Sequence, residues 1–288
     1  MMLNGFMAKR KTLSGRPARA VSSRKNAGRG RKDRKKDGAV WIYGVHAVLA
    51  AISNPRRNCR RIVAASPQSA QGLESRLAEA AQSCGAERPR LEIRDRRELG
   101  SLLPRDAVHQ GAAALCDPLP ETALEDVLED ARDNAPNAAQ AAVVVLDQAT
   151  DPRNVGAVLR SAAAFGALAV IVQDRHAPQA TPALAKAAAG ALEITPLVRV
   201  PNVSRALKTL KDHGFWCAGL DARAVETLAG ADLSGKVALV LGAEGAGLRR
   251  LTSESCDLLV RAPISGAVES LNLSNAAAIA LYELRRNT

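Results

Sequence analysis

Polar side chains cluster just before a predicted helix near the C-terminus of the chain. Within residues 263–278, a turn-forming Pro/Gly stretch precedes Ser270, Leu271 and Asn272, and an alanine-rich, helix-favouring segment follows. The unpaired backbone N–H groups of a helix start, with Ser and Asn side chains beside them, can hold a polar or anionic ligand. Alone, the same pattern is typical of a capped helix. The segment is therefore a candidate site only if other polar segments join it.

Two earlier segments combine glycines and polar side chains in a similar way. Residues 151–160 read Asp-Pro-Arg-Asn-Val-Gly-Ala-Val-Leu-Arg and follow the apolar run 142–146. Residues 241–248 read Leu-Gly-Ala-Glu-Gly-Ala-Gly-Leu and follow the apolar run 237–240. Both runs are typical of buried parallel strands, and each polar segment opens a predicted helix. Polar side chains therefore gather where strands end and helices begin, which is where open α/β sheets bind ligands.

The glycine-rich loop at 242–247 does not fit the two best-known phosphate-binding loops. A P-loop has Lys and Ser/Thr after its last glycine, whereas Leu248 and Arg249 stand there. A dinucleotide fingerprint reads GxGxxG in a first βα turn, whereas this loop reads GxxGxG after a late strand. Each polar residue also has a structural alternative, which is capping of the following helix for Glu244 and helix capping for Asn154 and Ser270.

In this order the three segments resemble the signature of the SpoU/TrmH family of RNA ribose 2′-O-methyltransferases, over about residues 142–286. Residues 43–48 (Tyr-Gly-Val-His-Ala-Val) and 108–111 (Val-His-Gln-Gly) resemble the start and end of a small RNA-binding domain found in one branch. That branch methylates a guanosine of large-subunit ribosomal RNA. The resemblance implies S-adenosylmethionine as methyl donor and a homodimer in which two deep trefoil knots face each other, an exception to the rule against threading.

The resemblance also implies which residues form the site. Its polar catalytic positions are matched by Asn154, Arg160, Glu244, Ser270 and Asn272. Its cofactor-binding positions, which act through the backbone, are matched by Gly242, Ala262 and Leu271. The chain departs from many relatives by a smaller side chain at 262, by lacking a hydroxyl at Ala188 and by carrying an amide at Asn275.

Arg160 is the single charge in the otherwise apolar segment 155–165, where a charge is costly and therefore notable. The reaction needs the 2′-hydroxyl held in line with the methyl group, and help in removing its proton. In the family the matching arginine is proposed to assist deprotonation. Because a guanidinium keeps its proton up to a pKa above about 12, phosphate binding or alkoxide stabilisation is physically easier, and the role stays open. The sulfonium carries an activated methyl group, so no metal is required.

The net charge of +11 lies entirely in the first segment of this 288-residue chain. Residues 1–38 contain thirteen Lys or Arg and two Asp or Glu, and the remainder is neutral overall. This low-complexity arm cannot bury enough apolar surface to fold alone and is predicted to be disordered. We expect it to bind RNA phosphates with a strong salt dependence. A solubilising extension and an Arg-rich transit peptide are the alternatives.

Two α/β domains joined by a linker are predicted beyond the arm. The first, at residues 39–118, is the small RNA-binding domain, with strands at 60–64, 90–93 and 110–116 and helices at 45–52 and 71–81. Residues 119–140 are acidic and then rich in Ala, Asn and Pro, and form the predicted linker, with a helix at 122–131.

The second domain, at residues 141–288, is predicted to hold a mostly parallel sheet with helices on both faces, because apolar strand candidates alternate with helical segments. The strands are predicted at 142–147, 168–173, 195–200, 215–220, 237–241 and 257–261. The helices are predicted at 155–165, 182–189, 203–212 and from Asn272 onward. The small side chains at 276–280 in the last helix would allow close approach of another backbone or helix, and the resemblance implies that this region packs against the partner subunit.

The remaining residue types restrict the function further. Five scattered cysteines without a CxxC pair give no support for zinc or thioredoxin-like chemistry and suggest reduced thiols in the cytoplasm, with an inert buried thiol at Cys217. No apolar stretch reaches the roughly 18 residues that span a membrane. His46 and His109 are expected to make structural hydrogen bonds.

RNA recognition is expected through phosphates and shape rather than base stacking. The only basic cluster outside the arm is Arg56, Arg57, Arg60 and Arg61, which we expect to contact RNA phosphates. With two Trp, two Tyr and three Phe, the chain offers no aromatic platform for single-stranded bases.

We interpret the sequence as an RNA ribose 2′-O-methyltransferase acting on ribosomal RNA. One alternative keeps the chemistry and has transfer RNA as substrate, although the additional N-terminal domain argues against the minimal transfer-RNA enzymes. A second alternative is a non-catalytic ribosome-assembly protein that retains the fold, although the complete set of polar site residues argues against it.

Overall fold

The computed structural model describes residues 38–85, 88–105, 107–134, 140–175, 182–266 and 268–286. Apart from Gly38, the predicted basic arm at 1–38 lies outside the described residues. The described helices include none that combines the length and apolar character needed to cross a bilayer.

A four-stranded sheet forms the core of the N-terminal domain. Its elements are β1 (Val40–Tyr43), α1 (Val45–Ser53), β2 (Cys59–Ala64), α2 (Pro67–Cys84), β3 (Leu91–Ile93), α3 (Arg96–Leu102) and β4 (Ala112–Cys116). The strand order is β1-β4-β2-β3, with β4 antiparallel to both neighbours and β2 parallel to β3. The strands and helices predicted for this domain are confirmed, whereas β1 and α3 were not predicted. Both are short, and α3 presents only one fully buried side chain, Leu99, so neither has a readable period.

The C-terminal domain contains a seven-stranded sheet in which every pair of neighbouring strands is parallel. Its strands are β5 (Gln140–Leu146), β6 (Ala169–Gln173), β7 (Leu197–Val200), β8 (Trp216–Leu220), β9 (Glu226–Thr227), β10 (Gly235–Leu241) and β11 (Leu258–Arg261), in the order β7-β6-β5-β10-β8-β11-β9. Its helices are α4 (Leu124–Asn134), α5 (Pro152–Ala164), α6 (Pro182–Ala188), α7 (Val203–Asp212), α8 (Arg250–Glu254) and α9 (Leu273–Arg286), with a 3₁₀ helix at Ala191–Glu193.

Alternating side chains of the parallel strands supply two separate cores. On β5, Val144 and Leu146 join the core beneath α5, α6 and α9, while Val143 and Val145 join the core beneath α4 and α7. Apolar residues on both sides of a strand are the mark of a sheet covered on both faces. The predicted α/β class is confirmed, as are the strands and helices predicted from this domain's sequence. The short elements β9 and α8 were not predicted.

The segment predicted as a linker is only partly one. Its predicted helix is present as α4, and Leu124, Val127 and Leu128 of this helix are buried against the C-terminal sheet. The acidic residues that suggested a solvated linker occupy the outward face of the helix. Amphipathicity, rather than exposure of the whole segment, therefore explains its composition.

The first helix after β5 is held close to α6 by a glycine. A Cβ atom added at Gly156 would overlap the side chain of Ala187 and the backbone of Ala188, so only glycine allows this approach of the two helices. The start of α5 is fixed by Asp151, whose side chain accepts a 2.9 Å hydrogen bond from the backbone N–H of Arg153. The helix that carries Asn154 and Arg160 is thus positioned at its N-terminus and along its side.

Candidate functional site

Three residues from distant segments meet at one edge of the C-terminal sheet. Strands β5 and β10 are parallel neighbours, so the segments that follow them emerge side by side. Asn154, in the first turn of α5, donates from Nδ2 to Oε1 of Glu244, at 2.8 Å. Asn272, directly before α9, donates from Nδ2 to the same Oε1 at 2.6 Å and to Oδ1 of Asn154 at 3.2 Å. The structure therefore brings together one residue from each of the three segments singled out in the sequence.

The helix starts show which residues act as caps. Asn272 Oδ1 accepts hydrogen bonds from the backbone N–H and the hydroxyl of Ser274, at 2.9 and 2.6 Å, so it caps α9. Asn154 is not the cap of its helix, because Asp151 fills that position. The capping alternative is therefore wrong for Asn154. Glu244 lies 3.4 Å from the backbone N–H of Leu273 at the start of α9, and not at the start of the helix that follows Glu244 in sequence.

The loop from 242 to 248 is closed on itself. The backbones of Ala243 and Gly247 exchange hydrogen bonds of 3.1 and 2.9 Å. A Cβ atom at Gly242 would overlap the backbone of Gly247 and Leu248. Glycine at position 242 therefore allows the tight turn that holds Glu244 at the tip of the loop. Gly242 itself is half-buried and lies directly after β10.

An ion pair between a buried carboxylate and a partly exposed arginine supports this loop and was not predicted from the sequence. Asp147, the first residue after β5, has a fully buried side chain that accepts from Nε and Nη2 of Arg249, at 2.9 and 2.5 Å. The pair connects the end of β5 to the residue after the glycine loop. A carboxylate directly behind a buried strand was the available signal, but its partner lies 102 residues later, beyond any local pattern.

Arg160 does not share the hydrogen bonds of the other site residues. It lies on α5 six residues beyond Asn154, its side chain is exposed, and it makes no hydrogen bond or ion pair with another described residue. Contrary to expectation, the charge of Arg160 is not costly in this segment, because its side chain points to solvent while its neighbours Val158 and Leu159 are buried. An exposed, unpaired guanidinium is free to bind an anion.

Among the described residues, no hydrogen bond joins the side chains of the other predicted site residues to the three-residue cluster. Ser270 is exposed, whereas Ala262 and Leu271 are half-buried, at the end of β11 and before α9.

Two positions depart from the family pattern. Ala188 is fully buried, so the hydroxyl missing there would lie in the core, and Asn275 is exposed on α9. Because Glu244, Ser270 and Asn272 are all exposed, the site is open on one side. Two shallow surface clefts, near Arg88 and near Trp216, contain none of these residues.

The small side chains of α9 approach another helix as expected, but that helix, α5, belongs to the same chain. Ala277 and Ala280 are fully buried in the core of their own chain, where small side chains let α9 lie close to α5. The outward face of α9 carries Ile279 and Tyr282 instead, which are 44% and 55% exposed. Exposed large apolar side chains on a regular face are a more suitable contact surface for a second subunit.

The arginine cluster of the N-terminal domain is paired within the chain. Arg57 forms a buried ion pair with Glu193, so the expected phosphate contact is wrong for this residue. The other pairs are Arg60 with Asp117 at 2.5 Å, Arg61 with Glu92 at 2.7 Å, and Arg56 with the Thr122 hydroxyl at 2.8 Å. Hydrogen bonds from Arg61 hold the pKa of Glu92 down at about 2. Carboxylates from distant segments neutralise three of the four arginines, which sequence proximity alone could not reveal.

His109 and Cys217 have the structural roles that were expected of them. His109 accepts a hydrogen bond from the backbone N–H of Gly111 at 3.1 Å, as expected of a structural residue, and burial lowers its pKa.

Burial raises the pKa of Cys217 to about 12, which confirms a buried, unreactive thiol. Cys59 and Cys116 face each other across β2 and β4 with their sulfurs 3.1 Å apart. Across the described ranges, no three His, Cys, Asp or Glu residues are grouped as a metal site.

Comparisons with known proteins match both halves of the chain. A profile described as the SpoU rRNA Methylase family matches residues 141–282, and one described as RNA 2′-O ribose methyltransferase substrate binding matches residues 41–122. The 23S rRNA (guanosine-2′-O-)-methyltransferase RlmB of Coxiella burnetii is 40% identical over 248 residues, which cover 85% of this chain and 94% of the relative. RlmB of Pseudomonas putida is also 40% identical and covers 85% of this chain and 95% of its own.

Solved structures extend the likeness to the fold. The SpoU methyltransferase AviRb from Streptomyces viridochromogenes, in complex with AdoMet, superposes with a TM-score of 0.66 at 25% identity, covering 87% of this chain and 90% of AviRb. An RNA 2′-O ribose methyltransferase superposes with a TM-score of 0.65 at 27% identity, covering 89% of this chain and 92% of its own. With its three motif segments joined at one sheet edge and matches along both domains, the chain belongs to the SpoU rRNA methylase family.

Proposed function

We propose that this protein transfers a methyl group from S-adenosylmethionine to the ribose 2′-hydroxyl of a guanosine in 23S-type ribosomal RNA. The observation that carries the proposal is the meeting of Asn154, Glu244 and Asn272, since these residues come from the three family segments. The substrate follows from the RlmB relatives, which are named as 23S rRNA guanosine-2′-O-methyltransferases and match nearly their whole length. The chain is thus an enzyme of RNA methylation rather than a binding protein alone.

The positions assigned to the cofactor are suited to an adenosine. Gly242, Ala262 and Leu271 are half-buried where β10 and β11 end and α9 begins. Their small or aliphatic side chains offer apolar surface, while their backbone groups can bond to the polar edges of a base. AdoMet is named in the complex with the related AviRb. When bound, S-adenosylmethionine supplies a methyl group on a positively charged sulfur, which needs no further activation.

The residues of this chain have separate tasks in the proposed reaction. Glu244 holds the side-chain amides of Asn154 and Asn272 in fixed orientations, and the second N–H of the Asn154 amide is left to orient the incoming ribose. The exposed guanidinium of Arg160 binds a substrate phosphate or stabilises the developing 2′-alkoxide. The Ser270 hydroxyl lies beside Leu271 and is positioned to bond to the substrate or the cofactor. All of these are groups that position substrate and stabilise charge.

The division of the chain into domains is proposed from the same family matches. Residues 39–118 form the RNA-binding domain and residues 141–288 the catalytic domain, while residues 1–38 form an RNA-seeking basic arm. We further propose that the catalytic domain is threaded as a trefoil knot. The active form is a homodimer, because the open side of the site leaves room for a partner and Ile279 and Tyr282 offer an apolar contact face. A cytoplasmic location fits an enzyme that acts on ribosomal RNA.

Mapping ribose methylation tests the proposal directly. Purified protein and labelled S-adenosylmethionine would be incubated with 23S rRNA transcripts in one reaction and with transfer RNA in another. Modified positions would then be mapped by resistance to alkaline hydrolysis. We expect label at one guanosine of 23S rRNA, and loss of that mark in cells lacking the gene. Label in transfer RNA only would refute the substrate assignment. Tight cofactor binding without methyl transfer to either RNA would indicate the non-catalytic alternative.

A further inference from the structure

A buried ion pair joins the N-terminal domain to the C-terminal domain. Arg57 lies in the turn after α1, and Glu193 ends the 3₁₀ helix that follows α6. The guanidinium reaches both carboxylate oxygens, with Nη2 2.5 Å from Oε1 and Nε 3.0 Å from Oε2. The side chains are only 6% and 3% exposed. A two-point contact of this kind fixes the angle between its partners as well as their distance.

Neighbouring groups complete the contact. Asn54 donates from Nδ2 to Oε2 of Glu193 at 3.0 Å, and Nη1 of Arg57 donates to the carbonyl of Asp117 at 2.6 Å. Beside the pair, a Cβ atom at Gly190 would come 3.1 Å from Cα of Ala47, so the two domains approach each other closely at the backbone. A buried charge pair requires such additional hydrogen bonds to offset its desolvation. The arrangement is therefore a defined docking contact.

The docking contact leads to the active-site helix. Glu193 ends the 3₁₀ helix that follows α6, and α6 packs against α5 through the close approach at Gly156. Helix α5 carries Asn154 and Arg160. The N-terminal domain is thus anchored to the pair of helices that present two of the proposed site residues. Displacing Glu193 would change the distance between RNA held by the first domain and the ribose site of the second.

We propose that Arg57 and Glu193 are positioning residues, which dock the RNA-binding domain so that the target ribose of a bound RNA reaches the methyl-transfer site. This inference rests on the proposed function, because it assumes that the N-terminal domain holds the substrate RNA. The pair does not touch the reacting atoms. Its role is to convert RNA binding on one domain into correct placement on the other, which is an orientation effect on the rate of reaction.

Charge reversal tests this role in the full-length protein. Glu193→Lys and Arg57→Glu each place like charges in contact, whereas the double variant restores an attractive pair. Hydrogen–deuterium exchange of peptides around 45–60 and 186–197 measures docking without RNA. Single-turnover methyl transfer at saturating 23S rRNA fragment measures placement, and filter binding measures RNA affinity. Asp257→Asn is the matched control, because it removes the Lys211–Asp257 pair, at 2.8 Å, within one domain.

We expect each single reversal to expose both peptides to exchange, to leave RNA affinity within about threefold, and to lower the single-turnover rate at least tenfold. The double variant should recover a large part of both, and the control should change neither. Glu193→Gln, which retains hydrogen-bonding oxygen, should show a smaller effect of the same kind. The positioning role is overturned if exchange is unchanged, or if exchange increases while the saturated rate is preserved. A wild-type protein that docks normally yet methylates no RNA would refute the proposed function, and the positioning role with it.

Discussion

Asn154 and Glu244 are 90 residues apart in the chain, yet the amide of one donates a 2.8 Å hydrogen bond to the carboxylate of the other. The same carboxylate oxygen accepts from Asn272, so Glu244 determines where both amides point. All three positions were singled out from sequence because each lies where a strand ends or a helix begins. Their contact makes one of them, Glu244, the residue through which the other two are held.

Removal of the Glu244 carboxylate should disable the site with little effect on the fold. Glu244 and Asn272 are exposed, so water can replace the lost acceptor, and Glu244→Ala should change the free energy of unfolding by less than about 1 kcal/mol. We expect methyl-transfer activity to fall by about 100-fold, because misoriented polar groups cost rate rather than stability. Urea unfolding and a tritiated-methyl assay measure the two quantities. Glu254→Ala on α8 is the matched control, and equal losses in the two variants would contradict the assignment.

Arg160→Ala should separate methyl transfer from cofactor binding. The guanidinium is exposed and has no partner among the described residues, so its removal should not disturb packing. Loss of one charge-stabilising group from a reaction centre lowers the rate by roughly 10²- to 10³-fold. Calorimetric titration with S-adenosylmethionine should give nearly the wild-type affinity. Arg205→Ala, at another exposed helical arginine, should remain active. Substantial activity of Arg160→Ala itself would remove this residue from the catalytic set.

Deletion of residues 1–38 should weaken RNA binding and make it less sensitive to salt. The segment carries the whole net positive charge, and what remains is neutral overall. Each lost phosphate contact should reduce the slope of log affinity against log salt by roughly 0.7 to 0.9. Affinity for the 23S fragment at several potassium chloride concentrations gives that slope. An unchanged slope would indicate that the arm solubilises or targets the protein.

A charge on the outward face of α9 should separate the proposed dimer into monomers. Ile279→Lys places an ammonium group on the apolar face that also carries Tyr282, and burial of an unpaired charge opposes association. Light scattering should report monomers, with activity reduced in parallel if the partner helps to complete the site. Val225→Lys, at a position that is 94% exposed, is the control and should stay dimeric. A fully active wild-type monomer would refute the shared-site proposal.

The Arg61–Glu92 pair should make the stability of the N-terminal domain depend on pH in the acid range. Hydrogen bonds from Arg61 lower the folded-state pKa of Glu92 from 4.5 to about 2. The pair therefore stabilises the fold above pH 4.5, and this contribution disappears as the pH falls towards 2. Because both side chains are about one-third exposed, we expect about 1 kcal/mol. Urea unfolding of Glu92→Gln and wild type should differ at pH 7, and the difference should narrow below pH 4.5. A constant difference would contradict this origin.

The order and class of the long elements were predictable because each carries its own period. Helix α7 was predicted at its observed bounds, since its buried residues Val203, Ala206, Leu207 and Leu210 follow helical spacing. Short elements such as β9 carry too few residues for a period. Pairings such as Asp147–Arg249 and Arg57–Glu193 depend on which segments the fold places together. For the same reason, Arg57 was expected at the RNA and is found inside the protein.

Position 156 accepts only glycine if the packing of α5 against α6 is to be kept. A methyl group there would push α6 away from α5, and the 3₁₀ helix behind α6 would move with it. Alanine, otherwise the most favourable residue inside a helix, should therefore be excluded at this point of α5 although it would favour the helix itself. The space of one hydrogen atom sets the gap between the helix that holds Asn154 and the helix that leads to Glu193.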